Sequence, residues 1–569
     1  MSAVVAAAGG HRRRRVVLPA IVALLLASFV PAAGGPLPTE PVKAVPGLCR
    51  NVAQDRGLAF RGAYGPTPLA ADPMAAMMLR NMGNGAAVAD VFGDGSLSVL
   101  LLGQLGHPNR LFRNQLASTG RAAFVDVTEG SGLANNGGSR AAAFADLDND
   151  GQLDLLVMND WDGEGSGSPS KVYRNGGQGT FEDVTDGSGF DPVGYLVGGL
   201  SLADYNRDGL LDIYVTYWTM ELGGDPARDA MIVKGRFPGQ NRLYENLGGF
   251  RFRDATSDVG LGQIHADSFS SIFADFTSDG WPDLYVALDH RADVFYENLG
   301  GTFRQASDEH GVGHVGNDMG IAVADLESDG LLDLYVTNIT DPNGQFGTGT
   351  GNTLLIGERD PDGEVAYADH AERTGVEDTG WGWGTAFTDM DLDGRLDLYV
   401  VQGMQEFIAA QSPALRDQRA RLFLGAGGRG FEAATGNGCD VAGDQRSVIP
   451  FDYDRDGAPD LLVTQIAYSA VLLENGTTDR HWLTVDLSRA GAQAAGARVT
   501  VSDEGARTTQ VALFGGSYLA GMPLELYFGL GPSGDADDVT VTWADGSVSE
   551  LGSVTADRVV RVTPDGLQP

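Results

Sequence analysis

The sequence predicts an all-β protein: a seven-bladed β-propeller whose seventh blade is closed by an N-terminal strand, followed by a small C-terminal β-sandwich-like module. Three observations predict it. A nine-residue acidic pattern recurs seven times, with starts 56, 58, 71, 50, 64 and 63 residues apart. Each copy lies between short apolar, β-branched or aromatic runs, which is strand composition rather than helix composition. Two further strand-like runs follow most copies, and four strands per repeat is the make-up of a propeller blade.

The elements follow in chain order. The N-terminus reads HRRRR, then an apolar run over Val16–Val30, then small residues. That is the layout of an export signal, expected over 1–33 with cleavage near Ala33. The apolar run is too short to span a membrane, and no other stretch approaches that length. An extracytoplasmic location (periplasmic, cell-surface or secreted) is therefore expected. Residues 34–48 read as a linker, 49–476 as the propeller and 477–569 as the C-terminal β module.

The acidic stretches are DVFGDGSLS at 90, DLDNDGQLD at 146, DYNRDGLLD at 204, DFTSDGWPD at 275, DLESDGLLD at 325, DMDLDGRLD at 389 and DYDRDGAPD at 452. Runs such as AAAFA precede them and runs such as LYVTN follow, so each stretch reads as the loop of a β-hairpin. Third strands (RLFRN, KVYRN, RLYEN, VFYEN) and fourth strands (FVDVT, FEDVT, FRDAT) recur after the hairpins. Seven hairpins have only six fourth strands behind them. The missing one stands in front: CRNVAQDRGL at 49 resembles FVDVTEGSGL at 124, so residues 49–54 are expected as the outer strand of blade seven. Borrowing that strand across the join buries two sheet edges. Cys49 lies on it and Cys439 just before the innermost strand of the same blade, so a disulfide would clip the ring shut. Two free buried thiols are the alternative.

The hairpins carry the chemistry. Carboxylates at positions 1, 3 and 5 of a tight turn converge, Gly at 6 permits the bend, and Asp at 9 closes an oxygen cage of the kind Ca²⁺ takes. The expected ligands are Asp146, Asp148, Asp150 and Asp154; Asp204, Asn206, Asp208 and Asp212; Asp275, Thr277, Asp279 and Asp283; Asp325, Glu327, Asp329 and Asp333; Asp389, Asp391, Asp393 and Asp397; and Asp452, Asp454, Asp456 and Asp460. Several Ca²⁺ ions are expected, up to about six or seven. The copy at Asp90 has Phe92 and Ser98 where ligands belong and is expected to be the weakest. An EF-hand is excluded: position 12 is apolar (Val157, Val215, Val286, Val400) and the flanks are strands. Without a cation the crowded carboxylates would repel one another. The net charge of −37 argues against nucleic-acid partners and against docking on anionic lipid.

DxDxDGxxD between two strands resembles the FG-GAP (VCBS) repeat of integrin alpha-subunit propellers, over about 49–476. The segments GARVTV, GGSYLAGMPLELYFGLG and VTVTWADGSV resemble the ASPIC/UnbV module, over about 481–565, with Ala544 where that family usually has Pro. The order of modules is similar to that of the cartilage acidic protein family and its bacterial relatives. The resemblance implies a secreted, Ca²⁺-binding propeller with a small β module.

A catalytic site is not expected. HGVGH at 310 lacks the Glu of a zinc protease helix, and there is no nucleophile elbow. Trp218, Trp381 and Trp383 read as blade packing before they read as a ligand-stacking surface. The long connections around 217–240, 338–351 and 402–420 are where partner specificity is expected. The function expected is adhesion or ligand recognition, with an unknown protein or glycan as partner and Ca²⁺ stabilising the blades. The alternative is an enzyme acting on carbohydrate or a secondary metabolite at the propeller face.

Overall fold

The computed structural model describes residues 47–62, 82–104, 107–133, 138–160, 168–194, 196–218, 240–262, 267–341, 351–403, 415 and 418–568. The expected export signal, nearly all of the linker and most of the three long connections lie outside them. No helix among the described residues is long and apolar enough to cross a membrane.

The acidic repeat folds as the alternation of strand and turn dictates. In the third unit Val197–Ala203, Asp212–Tyr217, Arg242–Asn246 and Phe252–Asp254 form one antiparallel sheet in sequence order. Seven sheets with four such antiparallel strands are described, two of them carrying a fifth strand, Ala520–Gly521 and Val315–Asn317, and they form a β-propeller. The innermost strands are Ala86–Ala89, Ser139–Ala145, Val197–Ala203, Ser268–Ala274, Ile321–Ala324, Gly382–Thr388 and Gln445–Phe451. Each lies against the next, and the last lies against the first. They are rich in Ala, Gly and Ser because strands around an axis crowd together. A Cβ on Gly198 would come within 2.2 Å of the Ser268 carbonyl oxygen on the neighbouring blade.

The seventh sheet is the one the strand count anticipates. Its outer strand is Cys49–Asn51, antiparallel to Val471–Asn475 with Cys49 opposite Asn475. The strand is shorter than the expected 49–54, because the chain turns at 53–57, where the Arg56 N–H donates to the Val52 carbonyl at 2.9 Å. Cys49 and Cys439 are disulfide-bonded with Cα atoms 4.9 Å apart, closing a sequence separation of 390.

A recurring asparagine stitches blade to blade. Asn114, Asn175, Asn246, Asn298 and Asn475 end third strands, and each side-chain amide donates to the position-2 carbonyl of the preceding blade's hairpin: Tyr453, Val91, Leu147, Tyr205 and Met390. The Asn114–Tyr453 bond, at 2.7 Å, joins the first blade to the last. Blade five has Gly357 at this position, and the Tyr367 hydroxyl takes over, donating to the Phe276 carbonyl.

The C-terminal region forms two four-stranded sheets, Glu525–Gly531/His481–Asp486/Arg558–Thr563/Gly566–Gln568 and Ala506–Val511/Arg498–Asp503/Asp535–Thr542/Val548–Thr555. Leu483, Val485 and Phe528 of one share a buried cluster with Val499 and Val541 of the other. The segment between Val511 and Glu525 leaves this module and enters the propeller axis. Phe514 bridges Leu202, Gly516 exchanges backbone bonds with Ser271 and Ile321, and Ser517 donates to the Val448 carbonyl. Ala520–Gly521 pairs in parallel with Ala86 and Ala87, Gly521 abuts the Ala142 carbonyl, and Ser517 lies against Gly384. Every innermost strand is thus touched by one short segment. Its Tyr518 is fully buried, with its ring 5.0 Å from that of Trp383 and 5.7 Å from that of Phe269. Trp218 stacks on Phe269. Trp218 and Trp383 are therefore packing residues around an axial plug.

Candidate metal sites in the acidic hairpins

The acidic loops share one backbone design. Position 1 accepts two N–H groups from positions 5 and 6: for Asp146 these come from Asp150 at 3.0 Å and Gly151 at 2.9 Å. Asp204, Asp325 and Asp389 repeat the arrangement. Position 4 is left-handed in every full copy (Asn149, Arg207, Ser278, Ser328, Leu392, Arg455), as is the Gly at position 6. Glycine at 6 was foreseen from the need for a sharp bend; the strained position 4 carries no residue signature, since side chains as different as Leu392 and Arg455 occupy it.

Position 9 is buried and held by the sheet. Asp154 accepts from the Leu147 N–H at 3.0 Å and from the Asn175 N–H at 2.9 Å, and Asp212, Asp283, Asp333, Asp397 and Asp460 accept equivalent pairs. Burial, only partly offset by these N–H groups, raises Asp154 and Asp333 to about 7 and Asp283 to about 8. Burial and the neighbouring carboxylates push Asp397 and Asp460 well above the ordinary range.

The structure brings positions 1, 3 and 9 together. Asp146, Asp148 and Asp154 have ligating oxygens within 4.8 Å of one another, as do Asp389, Asp391 and Asp397, and Asp452, Asp454 and Asp460. It does not bring position 5 into these triads. Asp150, Asp393 and Asp456 instead accept the N–H of position 7 at 2.9–3.0 Å. The other three full copies form no such triad of acids among the described residues. Asn206 donates to Asp208, Thr277 donates to Asp283 at 3.0 Å, and Glu327 turns to Arg429 at 2.8 Å. Asp275, Asp279 and Asp329 keep the turn geometry there. In the degenerate first copy Asp90 keeps its two N–H partners while the Phe92 ring packs under Arg113.

Several acidic clusters could bind a metal ion, and the orphaned oxygens say which. Buried Oδ1 atoms of Asp148, Asp452 and Asp454 have no hydrogen-bond donor. Buried carboxylate oxygens without donors are costly, and a hard cation satisfies them with the oxygen donors it prefers. Asp148 faces Arg174 at 3.4 Å and Asp391 accepts from Arg480 at 3.1 Å, so those two triads already carry a partial counter-charge. In the seventh, Arg455 and Arg56 lower Asp452 and Asp454, but less than burial raises them.

The same hairpins carry the C-terminal module. Arg455, at position 4 of the seventh, forms a two-pronged ion pair with Glu525 at 2.6 and 2.7 Å. The Gly529 N–H donates to Asp389, Thr508 donates to the Gly394 carbonyl, and Arg498 donates to the Asp275 carbonyl. A cleft of about 540 Å³, lined by Glu327, Asp393, Arg507 and Phe528, separates the fifth and sixth hairpins from the module. The sequence did not disclose this contact: its partners lie tens to hundreds of residues apart.

Comparison with known proteins matches residues 90–157, 161–215 and 275–336 to the FG-GAP-like repeat, and residues 488–568 to the ASPIC and UnbV domain. The chain carries FG-GAP-like repeats and an ASPIC and UnbV domain. The FG-GAP matches take in the hairpins at 90, 146, 204, 275 and 325; those at 389 and 452 join them by geometry. This FG-GAP protein is related to cartilage acidic protein 1. It is 26% identical to the Xenopus tropicalis protein over 240 residues, covering 39% of this chain and 32% of that one. It is 26% identical to the human protein over 243 residues, covering 39% and 31%. The mouse protein is 25% identical over 497 residues, covering 82% and 71%. The chain thus spans about a third of the length of the frog and human relatives it matches. Among solved structures it is similar to an Agrocybe aegerita lectin recognising non-reducing terminal N-acetylglucosamine, at 16% identity and a TM-score of 0.35, covering 70% of this chain and 90% of that one. It is also similar to the Vibrio cholerae biofilm matrix protein Bap1, at 13% identity and a TM-score of 0.30, covering 88% and 71%.

Proposed function

We propose that this protein is an exported recognition module in which Ca²⁺, bound by the acidic hairpins, fastens the C-terminal module to the propeller and leaves the opposite face for a protein or glycan partner. The observation that carries the reading is the set of three acid triads on the face the module covers, two of which, at Asp146 and Asp452, hold donor-less buried oxygens. Ca²⁺ bound there would supply charge neutralisation and a fixed loop shape; the residues already hold the turn by backbone bonds to positions 1, 5 and 9. Six ligand sets are offered by the sequence, and the triads at Asp146, Asp389 and Asp452 are the strongest of them.

The exposed face follows from topology. Acidic hairpins join first to second strands, so connections from second to third strands leave from the opposite edge, where the described ends of the long ones, at Trp218, Asp341 and Gly403, lie. The axial segment around Tyr518 fills the channel from the hairpin side. Relationship to cartilage acidic protein 1 and the Cys49–Cys439 disulfide support an extracytoplasmic setting, where such bonds persist. A domain division at about residue 477 fits the change from blade sheets to the C-terminal pair.

The test is a glycan and extracellular-protein array probed with the full chain in millimolar Ca²⁺ and in chelator. Binding that needs Ca²⁺ supports the reading. Binding indifferent to Ca²⁺, or turnover of an arrayed sugar in place of retention, would overturn it.

A further inference from the structure

Outside the hairpins, one more group of chemistry-bearing side chains converges. Asp293, His314 and Asp318 place ligating atoms within 4.8 Å of one another. Asp293 lies between the second strand of blade four, Asp283–Ala292, and its third, Val294–Asn298. His314 and Asp318 lie on the passage from blade four to the innermost strand of blade five, flanking the short strand Val315–Asn317 that pairs with Asp283–Ala292. By the antiparallel order of the blades, both connections sit on the face away from the acidic hairpins.

The cluster is not an ordinary acidic patch. Asp318 is fully buried, and neither carboxylate oxygen has a hydrogen-bond donor. His314 Nδ1 is also buried without a partner and stands 3.4 Å from Asp318 Oδ2. Asp293 is fixed from behind, its Oδ1 accepting the Leu288 N–H at 2.7 Å and its Oδ2 accepting the Tyr285 hydroxyl. His314 Nε2 faces the Thr353 hydroxyl at 3.4 Å, so the ring is oriented from its far side. Ligands held this way by outer partners are typical of metal centres. A separation of 3.4 Å also matches the edge of a tetrahedron with ligand distances of about 2.1 Å, the range for nitrogen and oxygen on zinc.

We propose that Asp293, His314 and Asp318 form a site for one first-row divalent cation, of the Zn²⁺, Mn²⁺ or Co²⁺ kind, that clips blade four to blade five. Two carboxylates and one imidazole are a donor set for such ions, whereas Ca²⁺ takes oxygen alone. Burial and the adjacent Asp293 and Asp289 hold Asp318 well above the ordinary carboxylate range, and burial lowers His314, keeping its ring neutral. A cation removes the conflict between two buried acids. The competing resolution is a proton shared between Asp293 and Asp318. The partly exposed His314 ring, 24% accessible, provides the way in. Sequence reading passes over the site because HGVGH is weighed only as a zinc-protease pattern and set aside for want of its Glu. His310 bonds the Val365 carbonyl at 2.6 Å and packs edge-on against Phe295.

The experiment uses the full disulfide-bonded chain, stripped by chelator and equilibrated with Co²⁺ in saturating Ca²⁺, which occupies the oxygen-only hairpins. One Co²⁺ retained per chain through gel filtration, with the intense visible bands of a low-coordinate nitrogen-containing site, is expected. His314→Ala and Asp318→Asn should each weaken retention by at least the 10–100-fold seen for lesser perturbations of metal sites, while the exposed Glu550→Gln should not change it. No retained Co²⁺, or only the weak bands of an all-oxygen octahedral ion, would overturn the proposal in favour of the shared proton, whether or not the variants fold. Retention unchanged in folded His314→Ala would overturn it equally.

Discussion

Cutting the ion pair between the seventh hairpin and the C-terminal module should be among the most damaging single polar changes in the molecule. Arg455 and Glu525 meet through two bonds of 2.6 and 2.7 Å, and Arg455 also donates to the Gly95 carbonyl at 2.8 and 3.0 Å. Their side chains are only 17% and 3% exposed, so little solvent screens them. Glu525→Ala leaves a buried guanidinium facing a single carbonyl. Breaking one side of such a pair costs about 3–5 kcal/mol, against about 0–1 kcal/mol for an exposed pair. The assay is urea unfolding of the Ca²⁺-loaded chain followed by tryptophan fluorescence, since the Trp482 ring packs directly on Gly457 of the same hairpin. Arg455→Met with Glu525→Leu should recover at least half of the loss, because two apolar side chains remove both buried charges together. A loss below about 1 kcal/mol for Glu525→Ala, the range of exposed pairs, would refute the reasoning. So would a double variant no better than the single one.

Three other outcomes are expected. Burial raises Glu474, but hydrogen bonds from Arg56, Tyr453 and Arg50 outweigh it and hold the carboxyl at about 2, below its ordinary 4.5. Its stabilisation is therefore full above pH 4.5 and lost as pH falls toward 2; a gap of about 2–3 kcal/mol between wild type and Glu474→Gln at pH 6 should close over that window, and a gap independent of pH would refute it. Cys439→Ser removes a link across 390 residues and should cost at most about 5–6 kcal/mol by chain entropy, read as a lower Tm with the same native circular dichroism; equal Tm values would contradict the account. Asp454→Asn should lower Tm in millimolar Ca²⁺ yet leave it equal or higher in chelator, because it removes one charge from a crowded acidic triad whose Oδ1 has no donor; a loss of the same size in both conditions would assign the residue a role without metal.

Much of the fold was legible because periodicity carries it. Asp at positions 1 and 5 with Gly at 6 marked each hairpin, and counting fourth strands sent Cys49 to the seventh blade and paired it with Cys439. Position 5 was read as a ligand on spacing alone. Asp150, Asp393 and Asp456 each also give Oδ1 to the position-7 N–H, a local bond that spacing does not reveal. The Asn stitches were visible as RN and EN endings, but what they meet, such as the Leu147 carbonyl for Asn246, lies on another blade. The segment around Tyr518 was noticed for its motif and not for its place. Nothing in its own sequence says that Phe269 and Trp383 receive it.

Ca²⁺ uptake by the mature, chelator-stripped chain, followed by titration calorimetry, addresses the central claim most directly. The account predicts at least three ions per chain, one for each of the triads at Asp146, Asp389 and Asp452, with thermal stability rising alongside occupancy by mass action. A folded chain that takes up no Ca²⁺ at millimolar concentration would contradict it.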